Sequence, residues 1–232
     1  MTHTKTFKLV FLQILIIIST KSFSQIVDKH YNHKTAALEL ENVAKKISSG
    51  LPYNISPKLV QYMYENHEDF PKIPENSSSK NKMETLAPTY TYINLILKSQ
   101  LIAPQDSISK KQAMLAATLG YQSIKIISLS NEFINSLDKD AYNYKTRVRG
   151  FNQGIKGLKQ YLLGYTTMTF LENQNQNVDD ILISNLKNFA PKILNEFPRD
   201  EKELTIQLLK SSIEGKNDIR LINEFNSFIE SL

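Results

Sequence analysis

Residues 109–137 read SKKQAMLAATLGYQSIKIISLSNEFINSL, and residues 141–171 read AYNYKTRVRGFNQGIKGLKQYLLGYTTMTFL. Ser109 and Gln112 form a capping-box pair at the start of the first segment, a hydroxyl and an amide spaced to satisfy each other's backbone N–H groups. Small and apolar residues then recur at three- and four-residue spacing through both segments, the period of a helix with one buried face. Only Asp138-Lys139-Asp140 separates them, so the two helices are expected to fold back on each other as an antiparallel hairpin.

Within that hairpin Gly150, Gly154, Gly157, Tyr161 and Gly164 share one face of the second helix. Ala113, Ala116, Gly120 and Ser123 share one face of the first. Residues opposed across an antiparallel pair have numbers of constant sum, which matches Gly120 with Gly157, Ala113 with Gly164, Ala116 with Tyr161, and Ser123 with Gly154. Each internal glycine costs a helix about 1 kcal/mol relative to alanine, so four of them require an offset. The favoured expectation is a close-packed seam, small against small, at the centre of the domain. A leucine at Gly157 would then overpack it and destabilise the protein. The alternative is a groove emptied of side chains to admit an apolar ligand, in which the same substitution removes ligand rather than stability.

Working outward, Val27 to Ser49 carries Ala37, Leu40, Ala44 and Ile47 on one stripe and ends at Gly50, a C-terminal cap. Ser56-Pro57 places a capping side chain before a proline at the first helical position. Leu59, Val60, Met63, Tyr64 and His67 share a face of that helix, which stops short of Pro71. Residues 70–82, polar and proline-containing, are expected to be a flexible loop. Pro88 is expected to open a helix bearing Ile93, Leu97 and Leu101 and ending at Pro104. Thr89 to Ile93 also alternates like a strand, but no second strand with hairpin chemistry stands beside it. Asp179 to Asn195 reads as helix with a kink at Pro191. Asp200 with Glu203 is expected to cap another, closed by Gly215, and Asp218 to open the last. Seven glycines and eight prolines are few for a turn-rich β fold. The chain is expected to be all-α, a single-domain bundle of about seven to eight helices over residues 25–232, built around the hairpin.

Residues 1–24 read as an address. Lys5 and Lys8 precede an apolar run from Leu9 to Ile18, broken only by Gln13, and Ser22-Phe23-Ser24 supplies small residues for cleavage before Gln25. The run falls short of the ~20 residues that span a bilayer. The mature chain is therefore expected to be soluble and exported, to a periplasm or outside the cell, with no stable membrane span after cleavage. Removing Lys5, Lys8 and Lys21 from 28 bases, against 23 acids, lowers the formal charge from +5 to +2. The four arginines, Arg147, Arg149, Arg199 and Arg220, form no basic stripe, which argues against nucleic acid as a partner. The absence of cysteine excludes disulfides, thiolate metal sites and thiol nucleophiles.

Candidate chemistry is sparse. His30 and His33 have the spacing of half a metal site, and Glu65, His67, Glu68 and Asp69 could complete it only from another helix. No nucleophile elbow, phosphate loop or dinucleotide fingerprint occurs. No catalytic residue, metal ligand or cofactor is assigned. A carboxylate-based cell-envelope hydrolase would have Glu65, Glu68, Glu84 and Glu132 to draw on. Arg147 is expected to be partly buried and paired with Asp138, Asp140 or Glu132; the alternative is a role in recognising an anion. Tyr62-Met63-Tyr64 is expected to be an exposed contact patch. These readings favour a non-catalytic binding or protein-interaction role, with an unknown protein partner or small ligand. Tyr62, Tyr64, His67, Arg147, Gly154, Gly157 and Tyr161 are its candidate contacts. The alternatives are the hydrolase and a carrier of a small apolar ligand in a helix-lined cavity.

Overall fold

The computed structural model describes residues 31–101, 106–140 and 142–232; the expected signal peptide, His30 and Pro104 lie outside them. Among the described residues there are eight helices and no strands: α1 His33–Ser48, α2 Pro57–Glu65, α3 Ser79–Gln100, α4 Lys110–Asn135, α5 Tyr144–Thr169, α6 Gln176–Asn195, α7 Arg199–Ser211 and α8 Ile219–Glu230. One contiguous apolar core draws residues from all eight. The protein is an all-α, single-domain helical bundle.

Short-range chemistry sets most of the helix ends. Ser56 accepts a hydrogen bond from the Leu59 backbone N–H at 3.0 Å, with Pro57 at the first helical position. Ser109 and Gln112 make both bonds of the capping box. Asp218 accepts from the Leu221 N–H at 2.9 Å and starts α8. Gly50 and Gly215 adopt φ of +65° and +77°, the left-handed conformation that ends a helix without a Cβ penalty.

One expected face and three expected boundaries are corrected. Along α1 the buried residues are Ala36, Leu40, Val43 and Ala44, so Ala37 lies outside the stripe. The loop expected at 70–82 is shorter, because the Ser78 hydroxyl accepts from the Asn81 N–H at 3.3 Å and starts α3 at Ser79. Pro88 consequently sits inside α3 rather than at its start, and removes one backbone donor without ending the helix. Asp200 does not cap α7: Pro198 holds that position with no side-chain bond. Asp200 and Glu201 instead lie in the first turn, where the helix dipole favours acids.

The central element is α4. Every residue from Ala113 to Gly120 is buried, so this stretch presents no face to solvent. It packs most extensively against α3 and α6, then α2 and α5. Its buried donors bond locally or reach loop carbonyls, while the Gln122 Oε1 is buried without a partner. Thr118 donates to the Met114 carbonyl and Ser123 to that of Leu119, both at 2.8 Å, while Gln122 reaches the Phe70 carbonyl at 2.7 Å. Lys125 donates to the carbonyls of His67 and Glu68 at 2.7 Å each and so holds the turn after α2 against α4.

The α4–α5 hairpin forms in the expected register at Tyr161, whose hydroxyl donates to the Ala116 carbonyl at 2.7 Å. Its packing differs from the expected small-against-small seam. A Cβ built on Gly120 would lie 2.6 Å from a Phe189 ring carbon and 2.7 Å from the Tyr161 hydroxyl oxygen. Gly120 therefore accommodates α6 and Tyr161, not Gly157. A Cβ on Gly150, Gly154, Gly157 or Gly164 would meet no atom within 4 Å. The two sets of small residues thus serve opposite ends, one close approach and one open space.

Gly120→Ala is expected to destabilise the protein. Phe189 is fully buried, its ring 4.8 Å from that of Tyr165, so it has no room to yield. Overpacking of roughly 1–3 kcal/mol outweighs the ~1 kcal/mol gained in helix propensity. A urea unfolding midpoint at or above that of the parent would contradict this packing.

Candidate functional site

The open glycine face of α5 borders a groove. Both α3 and α5 rest on α4, yet they make no extended contact with each other. The space between them is divided into two adjoining chambers. One, of about 440 Å³, lies towards the α4–α5 turn and is lined by Met83, Ile126, Phe133, Phe151 and Leu158, with Ser130, Thr146 and Arg147 among its polar groups. The other, of about 550 Å³, runs on past Asn94, Leu97, Lys98, Leu119, Gln160 and Met168. Tyr90 and Gly154 border both chambers, which makes them neighbours along one groove. Each volume falls within the range of ~300–1,000 Å³ usual for small-molecule sites.

Glycine shapes this space directly. Gly150, Gly154, Gly157 and Gly164 line it, and alanine at each position would project a methyl group into open volume. Tyr90 projects from α3 at the level of Gly154, and burial pushes its hydroxyl pKa up, partly offset by the nearby Ser123 hydroxyl. Tyr161 forms part of the wall and is held by the Ala116 carbonyl and by its ring contact with Phe189, 5.8 Å between centroids. The groove is lined by two cations, Arg147 and Lys98, and by no carboxylate.

Of the seven candidate contacts, the groove brings together Arg147, Gly154, Gly157 and Tyr161. Tyr62, Tyr64 and His67 lie elsewhere; in the contact patch expected at 62–64 the two tyrosines are half-buried and packed against neighbouring elements rather than fully exposed. Met63 is fully buried, and the Tyr62 ring packs against Tyr31 and Phe70 at 5.3 and 6.2 Å. Tyr64 accepts a hydrogen bond from the Asn185 side-chain amide at 2.9 Å. His67 stacks on Tyr121 at 3.7 Å, with its Nδ1 2.8 Å from the Tyr64 carbonyl. All three tie α2 to its neighbours.

Arg147 is also corrected. It is exposed, and no ion pair joins it to a carboxylate among the described residues. Its guanidinium lies 5.7 Å from the centroid of the Phe133 ring, a cation–π contact on the rim of the groove. His33 lies against Tyr62 and Phe70, and no group of three or more His, Cys, Asp or Glu among the described residues is placed to hold a metal. Glu65, Glu68, Glu84 and Glu132 do not line the groove. Glu132 accepts from the Ser79 hydroxyl at 2.7 Å and Glu65 from Gln61 at the same distance.

Several contributors went unread in the sequence. Tyr90, Ser130 and Phe133 reach the groove from α3 and α4, a facing that helical period alone does not reveal. A separate polar cavity of about 360 Å³ lies between the start of α6 and the α7–α8 turn, lined by Glu172, Asp179, Glu214 and Asp218 among others. Asp179 is 6% exposed, and its Oδ1 is buried without a hydrogen-bond partner.

No family model, curated protein or solved structure matches this chain.

Burial raises the Asp179 pKa, opposed by a hydrogen bond from Gln174 and the charge of Arg220, and assisted by the negative charges of Asp218 and Asp180. The native state therefore keeps this proton at pH values where the unfolded chain has lost it, and stability falls as pH rises through the carboxylate range. Asp179→Asn is accordingly expected to unfold at higher denaturant concentration than the parent at pH 7. The difference should shrink as pH drops below about 4, where the parent is protonated in both states. A variant less stable than the parent at pH 7 would show that the ionised carboxylate contributes to the native fold.

Proposed function

We propose that this protein is a non-catalytic binding protein that carries an extended apolar ligand in the groove between α3 and α5. The observation that carries the reading is the open glycine face of α5. Four glycines inside one helix cost about 1 kcal/mol each, and no neighbouring side chain or backbone fills the space they leave. Close packing therefore does not account for them, whereas a bound ligand would.

The walls suit such a ligand. Apolar side chains from three helices line the groove, and a few polar groups stand at defined points along it, the usual composition of a small-molecule site. The ligand reading replaces protein contact through Tyr62 and Tyr64 as the favoured form of the binding role, because those residues are engaged within the bundle. Export forms part of the proposal and rests on Lys5 and Lys8 ahead of the apolar run Leu9–Ile18. The protein would then meet its ligand in the periplasm or outside the cell.

Gly157→Leu tests the reading with Nile red, a neutral apolar dye, as probe. The purified parent is expected to bind the dye with a rise in fluorescence. The variant should lose that binding while its melting temperature stays within a few degrees of the parent's. A large fall in melting temperature with dye binding intact would restore the close-packed seam and remove the groove.

A further inference from the structure

The groove differs from a simple apolar cleft in the distribution of its charge, and resting on the ligand reading above, we infer that its ligand is a long-chain fatty acid. We place the carboxylate at Arg147 and the alkyl chain along the glycine face towards Met168. Arg147 stands at the end nearest the α4–α5 turn, exposed and without a carboxylate partner among the described residues. The Phe133 ring lies 5.7 Å from its guanidinium, beside the entrance. A guanidinium presents paired N–H donors in a plane that matches a carboxylate, and it is the side chain best suited to recognise one.

The neighbouring donors agree. Ser130 lines the same chamber, and its hydroxyl donates to the Met83 sulfur at 3.2 Å, a weak acceptor that a carboxylate oxygen would readily replace. Thr146 supplies a second hydroxyl on the rim. With no acid in the lining of either chamber, nothing there repels a negative head group.

The groove is long enough for such a chain. From Arg147 to Met168 the α5 helix rises roughly 30 Å at 1.5 Å per residue. One leaflet of a bilayer, an acyl chain in depth, is about 15 Å. A single alkyl chain anchored at Arg147 therefore fits within the groove, passing the gap between Tyr90 and Gly154 into the second chamber. Lys98 lies at the far end of this path, beyond the reach of the head group, and is assigned no contact with it.

Displacement of Nile red by dodecanoate and by dodecanol, its neutral counterpart, tests the assignment. The parent is expected to bind dodecanoate more tightly than dodecanol. Arg147→Gln should weaken dodecanoate about tenfold, the scale of one hydrogen bond to a charged group, and leave dodecanol within twofold. Lys98→Gln should change neither. If Arg147→Gln weakens both ligands equally, or neither, or if Lys98→Gln is the variant that loses dodecanoate, the head-group assignment is wrong. The groove itself would still stand on the dye result. If the parent binds no dye at all, the groove reading falls first.

Discussion

The structure depends on the enclosure of one helix. From Ala113 to Gly120, α4 is covered on every side, which requires four helices to approach a single axis. Small side chains make that approach feasible, and at Gly120 even a methyl group would collide with Phe189 and Tyr161. A helix buried this completely must also satisfy its polar groups without water. Thr118 and Ser123 do so with carbonyls one turn back, and the Gln122 amide N–H donates to the backbone of the α2–α3 connection, while its Oε1 is buried without a partner.

The groove follows from that arrangement. Two helices that both lean on α4 need not touch each other, and what lies between them depends on the side chains they present. On α3 the residue that projects into it is Tyr90, which borders both chambers. On α5 the facing residues include Gly150, Gly154, Gly157 and Gly164, which present none. The core and the candidate site therefore share a wall: Tyr161 closes the space beside Gly120 and borders the groove at the same time. Changes on the Gly120 side are expected to act on stability, and on the proposed reading changes on the Gly157 side act on what can be bound.

Much of the fold was legible because capping chemistry is local. Ser56 before Pro57, Ser109 with Gln112, Asp218 and Gly50 each mark a helix end through groups only a few residues apart. The register of the hairpin was legible too, and Tyr161 meets Ala116 as the constant sum requires. Periodicity shows which residues share a helix face, but not what stands opposite. For that reason the glycines of α5 are legible as one face, while the open space in front of them is not. Tyr62 and Tyr64 read as surface aromatics, yet Tyr31 and Asn185, distant in the chain, and Phe70 in the turn beyond α2 engage them. Ser78 lies within a polar run with no apolar pattern, so the start of α3 is not legible there, whereas Tyr90 falls inside the expected helix and only its facing is hidden.

Urea unfolding of a Gly154→Ala, Gly157→Ala, Gly164→Ala triple variant tests most directly whether this face of α5 is open. If the three added methyl groups enter empty space, helix propensity alone acts, and stability should rise by up to about 1 kcal/mol per site. A variant less stable than the parent would mean that something packs against these glycines, and would contradict the groove.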